Sequence, residues 1–222
     1  MARIYDCSVD SELLTGMRLA RAAIARGECV VLPTDTVYGI AVDAFNPDAV
    51  QRLLDAKGRT RTSPPPVLIP GVPTLDALAE TVHPLVRELV DRFWPGALTI
   101  IMRAQPSLSW DLGETRGTVA LRMPDNPLML ELLTEVGPLA VSSANRTGEP
   151  SATSAIEASE QLGDTVTVYL DGGDSPESRL ASTIIDATGL RAGGGTITIV
   201  RQGAISREDI RSVVGDVLED EG

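Results

Sequence analysis

The stretch VVLPTDTVYGIAVDA, residues 30–44, places small polar side chains directly after a run of branched apolar residues. The apolar run from Cys29 to Pro33 predicts a buried strand. At Pro33 the run stops, and Thr34, Asp35 and Thr36 follow before apolar residues resume. In open α/β sheets, ligand sites collect where strand ends meet loops, so this pattern indicates a candidate site.

The remaining sequence alternates segments of helical and strand periodicity. Residues 11–26 carry apolar side chains at helical spacing and stop at Gly27. The Asn-Pro pairs at 46–47 and 126–127 predict two helix starts, because Asn caps a helix and Pro fits its first turn. Further helices are predicted near 74–80, at 84–93 and after 206, and further strands at 67–69, from 97, and at 118–124, 138–145, 165–173, 181–188 and 195–203. This mixture predicts a single α/β domain over residues 1–222, with an open, twisted, mixed sheet flanked by helices.

Composition argues against several classes of protein. The net charge of −12 opposes sequence-independent binding to the phosphate backbone of a nucleic acid. No apolar run approaches the roughly 20 residues of a membrane span, and the first residues lack the apolar segment of a signal peptide. Cys7 and Cys29 are too few for a disulfide framework or a zinc site. We therefore expect a reduced, cytoplasmic protein without a membrane partner.

One basic segment follows the helix predicted from Pro47. Lys57, Arg59 and Arg61 alternate with small residues, so an extended backbone would turn all three cations toward one polyphosphate. Lys57 is also the only lysine among 19 basic residues, which favours a role that arginine fills poorly. The alternative is a solvated helix end, where the helix dipole favours cations. The residues alone leave both interpretations open.

Hydroxyl and amide side chains follow another predicted strand. Ser142, Ser143 and Asn145 end an apolar run, and Thr153 comes shortly after it. Such groups can bind a ribose, a phosphate or a base edge without adding charge. They are also the ordinary residues of turns and helix caps, which is the stronger interpretation when this segment is taken alone.

Single polar residues lie on three further predicted strands. Arg122 ends an apolar strand, where a buried guanidinium requires an anion, either a substrate carboxylate or a structural salt bridge. Ser182 begins the segment STIID and Arg201 follows TITIV. The alternative for Arg201 is a surface charge at the end of a strand.

Several catalytic motifs are absent from the sequence. It contains no phosphate loop of the G-x-x-x-x-G-K type and no G-x-G-x-x-G after a strand. The single histidine, His83, precedes a proline at a predicted helix start, so no nucleophile–histidine relay can be assembled around it. An enzyme with this sequence should act by positioning and charge neutralisation. We expect no chemical role for Cys7, Cys29 or His83.

Taken together, the ordered motifs resemble the YrdC-type threonylcarbamoyl-AMP synthase family. They are PTDTVYG (33–39), KGR (57–59), FWPGALT (93–99), VALRMP (119–124), SAN (143–145), STIID (182–186) and VRQGAIS (200–206). Each motif is modest alone, but their order and spacing over a core of about residues 11–205 are specific. The resemblance implies a YrdC-like fold around a concave, basic-lined pocket, in the short form without an additional C-terminal domain.

The resemblance also implies an activity. Members of this family are nucleotidyltransferases that form threonylcarbamoyl-AMP and pyrophosphate from L-threonine, bicarbonate and ATP. Downstream threonylcarbamoyl-transferase proteins then modify an adenosine beside the tRNA anticodon. We accordingly expect Mg²⁺ to bind with the ATP phosphates and not to protein side chains, and direct tRNA binding to be weak at most.

The matching positions receive roles from the same resemblance. Those implied for threonine are Thr34, Arg122, Ser142 and Ser182. Those implied for ATP are Lys57, Arg59, Arg61, Thr118, Ser143, Asn145, Thr153 and Arg201. Lys57 and Arg59 would act in catalysis by neutralising charge and positioning ATP, without a covalent nucleophile.

One departure from the family pattern and two alternatives accompany this interpretation. The chain carries KGRTRTSPPP at 57–66, where members often have KGRP…NPL, which puts the path of this loop and the role of Arg61 in question. The alternatives are an RNA-binding or ribosome-maturation module, which the acidic charge opposes, and a paralogue that uses another acceptor in place of threonine. Acceptor identity depends on one methyl and one hydroxyl group.

Overall fold

The computed structural model describes residues 3–175 and 180–220. Its strands are β1 (Arg3–Asp6), β2 (Val30–Leu32), β3 (Gly39–Asp43), β4 (Val67–Leu68), β5 (Leu98–Arg103), β6 (Thr118–Arg122), β7 (Leu139–Ser143), β8 (Val168–Asp171), β9 (Thr183–Asp186) and β10 (Thr198–Arg201). Its helices are α1 (Asp10–Ala25), α2 (Pro47–Lys57), α3 (Val72–Leu78), α4 (Pro84–Phe93), α5 (Pro127–Val136), α6 (Ala155–Leu162) and α7 (Arg207–Val214).

The strands form one open, mixed sheet. Their order is β1-β8-β2-β3-β7-β4-β6-β5-β9-β10. The pairs β1/β8, β2/β8, β4/β6 and β5/β9 are parallel, and the other neighbouring pairs are antiparallel. The predicted fold class, an open mixed α/β sheet flanked by helices, is therefore confirmed.

Local sequence signals account for the helix starts. The side chain of Asn46 accepts a hydrogen bond from the backbone N–H of Ala49, and Asn126 does the same for Met129, each with proline at the next position. Both predicted Asn-Pro helix starts are confirmed. The strand β1 and the helix α6 are not predicted from the sequence, because their segments are short or polar. The strand β3 is apolar, but its segment received no separate assignment.

Alternation along the strands divides the buried side chains between two layers. Val30 and Leu32 pack with α1 and α5 on one face of the sheet, and Val31 between them packs with the larger core on the other face. The helices α1 and α5 cover this face of the sheet over strands that include β2, β3, β7 and β8. This division explains why β2 reads as a continuous apolar run: both of its faces are buried.

On the strands β5, β6 and β9, the sheet face that α1 and α5 cover elsewhere lines a cavity instead. Ile100, Leu121 and Ile185 of these strands pack in the larger core. Their neighbours face the opposite side and line a cavity there: Thr99, Arg122 and Ile184. Among the described residues, no helix is long and apolar enough to cross a membrane.

Candidate active site

A cavity of about 170 Å³ lies on the sheet face that presents Arg122. Seven of the predicted site residues line it: Thr34, Arg59, Arg122, Ser142, Ser143, Ser182 and Arg201. These include all four residues predicted for threonine. The volume is below the roughly 300–1,000 Å³ of typical drug-sized sites, so the enclosed part fits an amino acid, and a nucleotide would extend beyond it.

Arg122 is the most enclosed cation of this cavity. Its Nη2 forms a salt bridge with Asp35, its Nη1 donates to the hydroxyl of Thr36 at 3.1 Å, and its Nε donates to the carbonyl of Gly96 at 2.9 Å. Burial lowers the pKa of this guanidinium and Asp35 opposes the shift. Three of the five N–H groups are thus used, leaving one on each terminal nitrogen for an incoming anion.

Asp35 and Thr36, which follow the strand end at Pro33, orient Arg122, and the sequence alone does not predict this role. Their neighbour Thr34 donates its hydroxyl hydrogen to the carbonyl of Val37 at 2.7 Å and accepts from the backbone N–H of Thr36 at 3.1 Å. The hydroxyls of Thr34 and Thr36 lie 3.0 Å apart, so Thr36 must be the donor between them. The hydrogen bonds therefore run in one direction, from Arg122 through Thr36 to Thr34. This series of hydrogen bonds fixes the orientation of the Arg122 guanidinium. In the sequence, only the strand end at Pro33 indicates such an arrangement.

Ser182 and Arg201 form a second polar group on the cavity wall. Arg201 donates from Nη2 to the carbonyl and the hydroxyl of Ser182, at 2.7 and 3.1 Å. The same hydroxyl lies 2.8 Å from the hydroxyl of Thr99. Burial lowers the pKa of Arg201, with smaller contributions from Arg122 and Arg59. Three guanidiniums therefore surround one small space, an arrangement that suits anions.

Arg59 reaches the cavity because helix α2 ends abruptly before it. Gly58 adopts the left-handed conformation with φ of 65°, and the backbone N–H of Arg59 returns to the carbonyl of Leu54 at 2.8 Å. The Arg59 side chain then donates to the hydroxyl of Ser142 at 3.1 Å. Burial lowers the pKa of Arg59.

Lys57 lies behind the cavity wall and does not line it. The residue is 1% exposed. Its Nζ donates to the carbonyl of Ser143 and, at 2.6 and 3.4 Å, to the carbonyl and side-chain oxygens of Asn145. Burial, and then the charge of Arg59, lower the pKa of Lys57 to about 7.

Asn145 and Thr153 are both buried, and neither lines the cavity. Asn145 contacts Lys57, and Thr153 lies further along the same segment. The Asn145 amide donates to the carbonyls of Arg146 and Glu149 at 2.9 and 2.8 Å. The Thr153 hydroxyl donates to Glu157 at 3.0 Å. Their predicted contacts with ATP stay predictions.

Arg61 and Thr118 also lie outside the cavity lining. The Arg61 guanidinium pairs with Asp111 at the surface, where both side chains are almost half exposed. Thr118 lies on the same face of β6 as Arg122, four residues away, which is about 13 Å along the strand. Their roles toward ATP stay predictions as well.

A larger cavity, His83 and Cys29 lie away from this site. The larger cavity, about 750 Å³, is lined by residues such as Met102, Ala187 and His83. His83 caps α4, with its Nδ1 accepting from Leu85 at 3.2 Å. Cys29 is buried, which raises its thiol pKa to about 12. Within residues 3–175 and 180–220, no cluster of three or more His, Cys, Asp or Glu side chains could hold a metal.

The fold and the cavity together define an α/β protein with a binding site for a small ligand that carries anionic groups. A family model named Sua5_yciO_yrdC, described as "Telomere recombination", matches residues 22–203. The chain belongs to this Sua5/YciO/YrdC family.

Relatives in this family carry a consistent name. A Mycobacterium tuberculosis relative, 47% identical over 97% of this chain and 96% of its own, is named provisionally as a threonylcarbamoyl-AMP synthase. A Bacillus subtilis relative named threonylcarbamoyl-AMP synthase is 37% identical over 91% of this chain and 58% of its own. The chain therefore spans nearly all of the mycobacterial relative and little more than half of the longer one.

Solved structures agree with the fold. Sua5 of Pyrococcus abyssi in complex with L-threonine has a TM-score of 0.85 at 30% identity, covering 99% of this chain and 62% of its own. Escherichia coli YciO has a TM-score of 0.80 at 21% identity, covering 95% of this chain and 100% of its own, and supports the fold alone.

Proposed function

We propose that this chain is a threonylcarbamoyl-AMP synthase that joins L-threonine, bicarbonate and ATP. The single observation that carries the proposal is the enclosed Arg122, oriented by Thr36 and Asp35 at the base of a cavity the size of an amino acid. Its two remaining N–H groups suit a bidentate carboxylate. The names of the relatives and the threonine-bound Pyrococcus structure support the same substrate.

In the proposed reaction, the protein supplies binding and charge, with no covalent nucleophile. Arg122 holds the α-carboxylate of threonine, and Ser182 and Thr34 lie in the same cavity to contact the rest of it. The threonine amine loses a proton and forms a bond to the carbon of bicarbonate, whose C–O bond breaks so that water leaves, or to the carbon of carbon dioxide, where one C=O bond opens. A carbamate oxygen then attacks the α-phosphorus of ATP. The bond from that phosphorus to pyrophosphate breaks, so the products are threonylcarbamoyl-AMP and pyrophosphate.

ATP is proposed to enter from the open side of the cavity. Arg59, Ser143 and Arg201 form the wall on which its phosphates would lie. Their charge would oppose the repulsion between the carbamate and the α-phosphate, the two anions that must meet. Mg²⁺ would arrive with the phosphates and share their charge.

The product would be consumed elsewhere. Threonylcarbamoyl-AMP is proposed to pass to separate transferase proteins in the cytoplasm, which modify the adenosine beside the tRNA anticodon. A chain with a net charge of −12 is a poor ligand for bulk RNA, which supports a supplier of the activated group.

The test is pyrophosphate release by the purified chain. Release should require ATP, bicarbonate and L-threonine together, and should be weaker with L-serine. Equal release without an amino acid would contradict the threonine assignment. Salt-sensitive RNA binding without pyrophosphate release would favour the RNA-binding alternative.

A further inference from the structure

The larger cavity lies at the opposite end of two strands that also line the cavity of Arg122. Thr99 of β5 and Ile184 of β9 line the smaller cavity. Met102 and Arg103 at the end of β5 line the larger one, together with Ala187 after β9. Because β5 and β9 are parallel, the larger cavity lies at their carboxyl ends, where open α/β sheets commonly place ligand sites. We call the two spaces the Arg122 cavity and the Arg103 cavity; among the described residues, none lines both.

The floor of the Arg103 cavity is aliphatic and continuous with the larger core. Val86, Met102 and Ala187 line it and are at most 6% exposed, and Leu190 packs against the same core. The described lining residues include no Phe, Tyr or Trp, so a nucleobase would find no aromatic ring on which to stack. A methionine side chain adapts to irregular apolar shapes. This floor therefore suits an aliphatic chain better than a flat ring.

Two arginines at this cavity keep their charge without a carboxylate partner. Within the part of the chain that the structure describes, Arg103 forms no hydrogen bond or ion pair, and Glu80 of the same lining pairs with neither arginine. Arg191 donates from Nη1 to the carbonyls of Thr188 and, at 2.8 Å, of Leu190. These partners are neutral, and the N–H groups on Nε and Nη2 remain for a ligand. In a chain with a net charge of −12, such a pair of cations favours an anionic ligand at this position.

A tight turn of the backbone fixes Arg191 beside the cavity. The backbone N–H of Arg191 donates to the carbonyl of Gly194 at 2.8 Å, and the N–H of Gly194 returns to the carbonyl of Arg191 at 3.1 Å. Gly195 has a φ of 115°, and a Cβ there would lie 2.3 Å from the carbonyl oxygen of Gly189. The two ends of this loop are thus in contact, and its own backbone sets the position of the arginine.

From these observations we propose that the Arg103 cavity is a second binding site, for a medium-chain aliphatic carboxylate. The chain of the ligand lies on the apolar floor, and its carboxylate meets Arg103 and Arg191. The cavity volume of about 750 Å³ falls within the roughly 300–1,000 Å³ of small-ligand sites. No step of the proposed reaction uses this cavity, so the inference goes beyond the proposed function and its tests do not depend on that function.

The first experiment tests the floor and the charge on the wild-type chain. Calorimetric titrations use hexanoate, octanoate and decanoate, each below its micelle concentration. Affinity should rise about fourfold for each added CH₂ group that becomes buried, and so at least about tenfold from octanoate to decanoate. Octan-1-ol, which has the same chain without the charge, should bind at least about fivefold more weakly than octanoate. Absent binding of decanoate, equal affinities along the series, or tighter binding of the alcohol would each overturn the proposal.

The second experiment tests the two cations. The double variant Arg103→Gln/Arg191→Gln should bind decanoate at least about fivefold more weakly, because two exposed charge pairs are lost. The matched control Arg87→Gln/Arg92→Gln removes two cations from α4 that do not line the cavity, and should change the affinity less than about twofold. An unchanged affinity of the first variant, or an equal loss in the control, would overturn the proposal.

The third experiment locates the ligand without any substitution. In the wild type, decanoate should slow amide hydrogen exchange in residues 187–195, which follow β9 and carry Arg191. Exchange in residues 139–145, beside the Arg122 cavity, should stay unchanged. Slower exchange only in residues 139–145 would place decanoate in the Arg122 cavity, and unchanged exchange in residues 187–195 would leave the Arg103 cavity empty; either result would overturn the proposal.

Discussion

Arg122 and Lys57 are both buried cations, yet their surroundings differ in kind. Arg122 pairs with a carboxylate, keeps two N–H groups free and faces the cavity, whereas Lys57 gives all its donors to carbonyl and amide oxygens behind the wall. Of the two, Arg122 is therefore the one with donors available to a ligand in the cavity. The predictions below test this contrast.

The largest effect is expected from removing the counter-ion of Arg122. Asp35→Ala leaves the Arg122 side chain, which is 7% exposed, without its carboxylate partner, and loss of one partner of a buried pair costs about 3–5 kcal/mol. Urea unfolding should show this loss of unfolding free energy. A loss below about 1 kcal/mol would mean that the pair contributes no more than a surface contact.

The next effect concerns Arg122 itself. Arg122→Gln should weaken L-threonine binding by about 2–5 kcal/mol and leave ATP binding nearly unchanged, because a charge-assisted pair is lost. Arg201→Gln is the matched variant and should show the opposite preference. Calorimetric titration with each ligand separately measures both, and an unchanged affinity of Arg122→Gln for threonine would contradict the assignment.

A third prediction concerns the pH dependence of stability at Lys57. Its pKa of about 7 in the folded protein lies below the usual 10.5, so between these values the unfolded chain binds a proton that the folded chain does not. The unfolding free energy of the wild type, relative to Lys57→Met, should therefore rise from pH 7 to pH 9, by about 2–3 kcal/mol. A flat difference over this range would show that Lys57 keeps its usual pKa.

The smallest effect is expected at the exposed pair of Arg61 and Asp111. Asp111→Ala should change the unfolding free energy by about 0–1 kcal/mol, since surface ion pairs contribute little. It serves as the control for Asp35→Ala in the same urea series. A loss as large as that of Asp35→Ala would remove the contrast between the two pairs.

Much of the fold could be predicted from periodicity and helix caps. The apolar run of β2 and the Asn-Pro starts of α2 and α5 are local signals, and each is confirmed. The order of the strands depends on contacts between distant segments, which local patterns do not encode. The short strand β1 carries little periodicity, so it was not predicted.

The site was predicted in part for the same reason. Strand ends with polar residues pointed to Thr34, Arg122 and Ser142, which do meet in one cavity. The role of Asp35 as the partner of Arg122 joins residues 87 positions apart and could not be inferred from spacing. The alternation of Lys57 with Arg59 predicted convergence, but α2 continues through Lys57 and turns that side chain inward.

The central claim is that Arg122 receives the carboxylate of threonine, and comparing L-threonine with L-threoninol tests it most directly. The two ligands share the amine and the side chain, and differ in the group that Arg122 would hold. In calorimetric titrations of the wild type, L-threonine should bind and L-threoninol should bind at least about 30-fold more weakly, which corresponds to about 2 kcal/mol. Equal affinities for the two ligands would contradict the account.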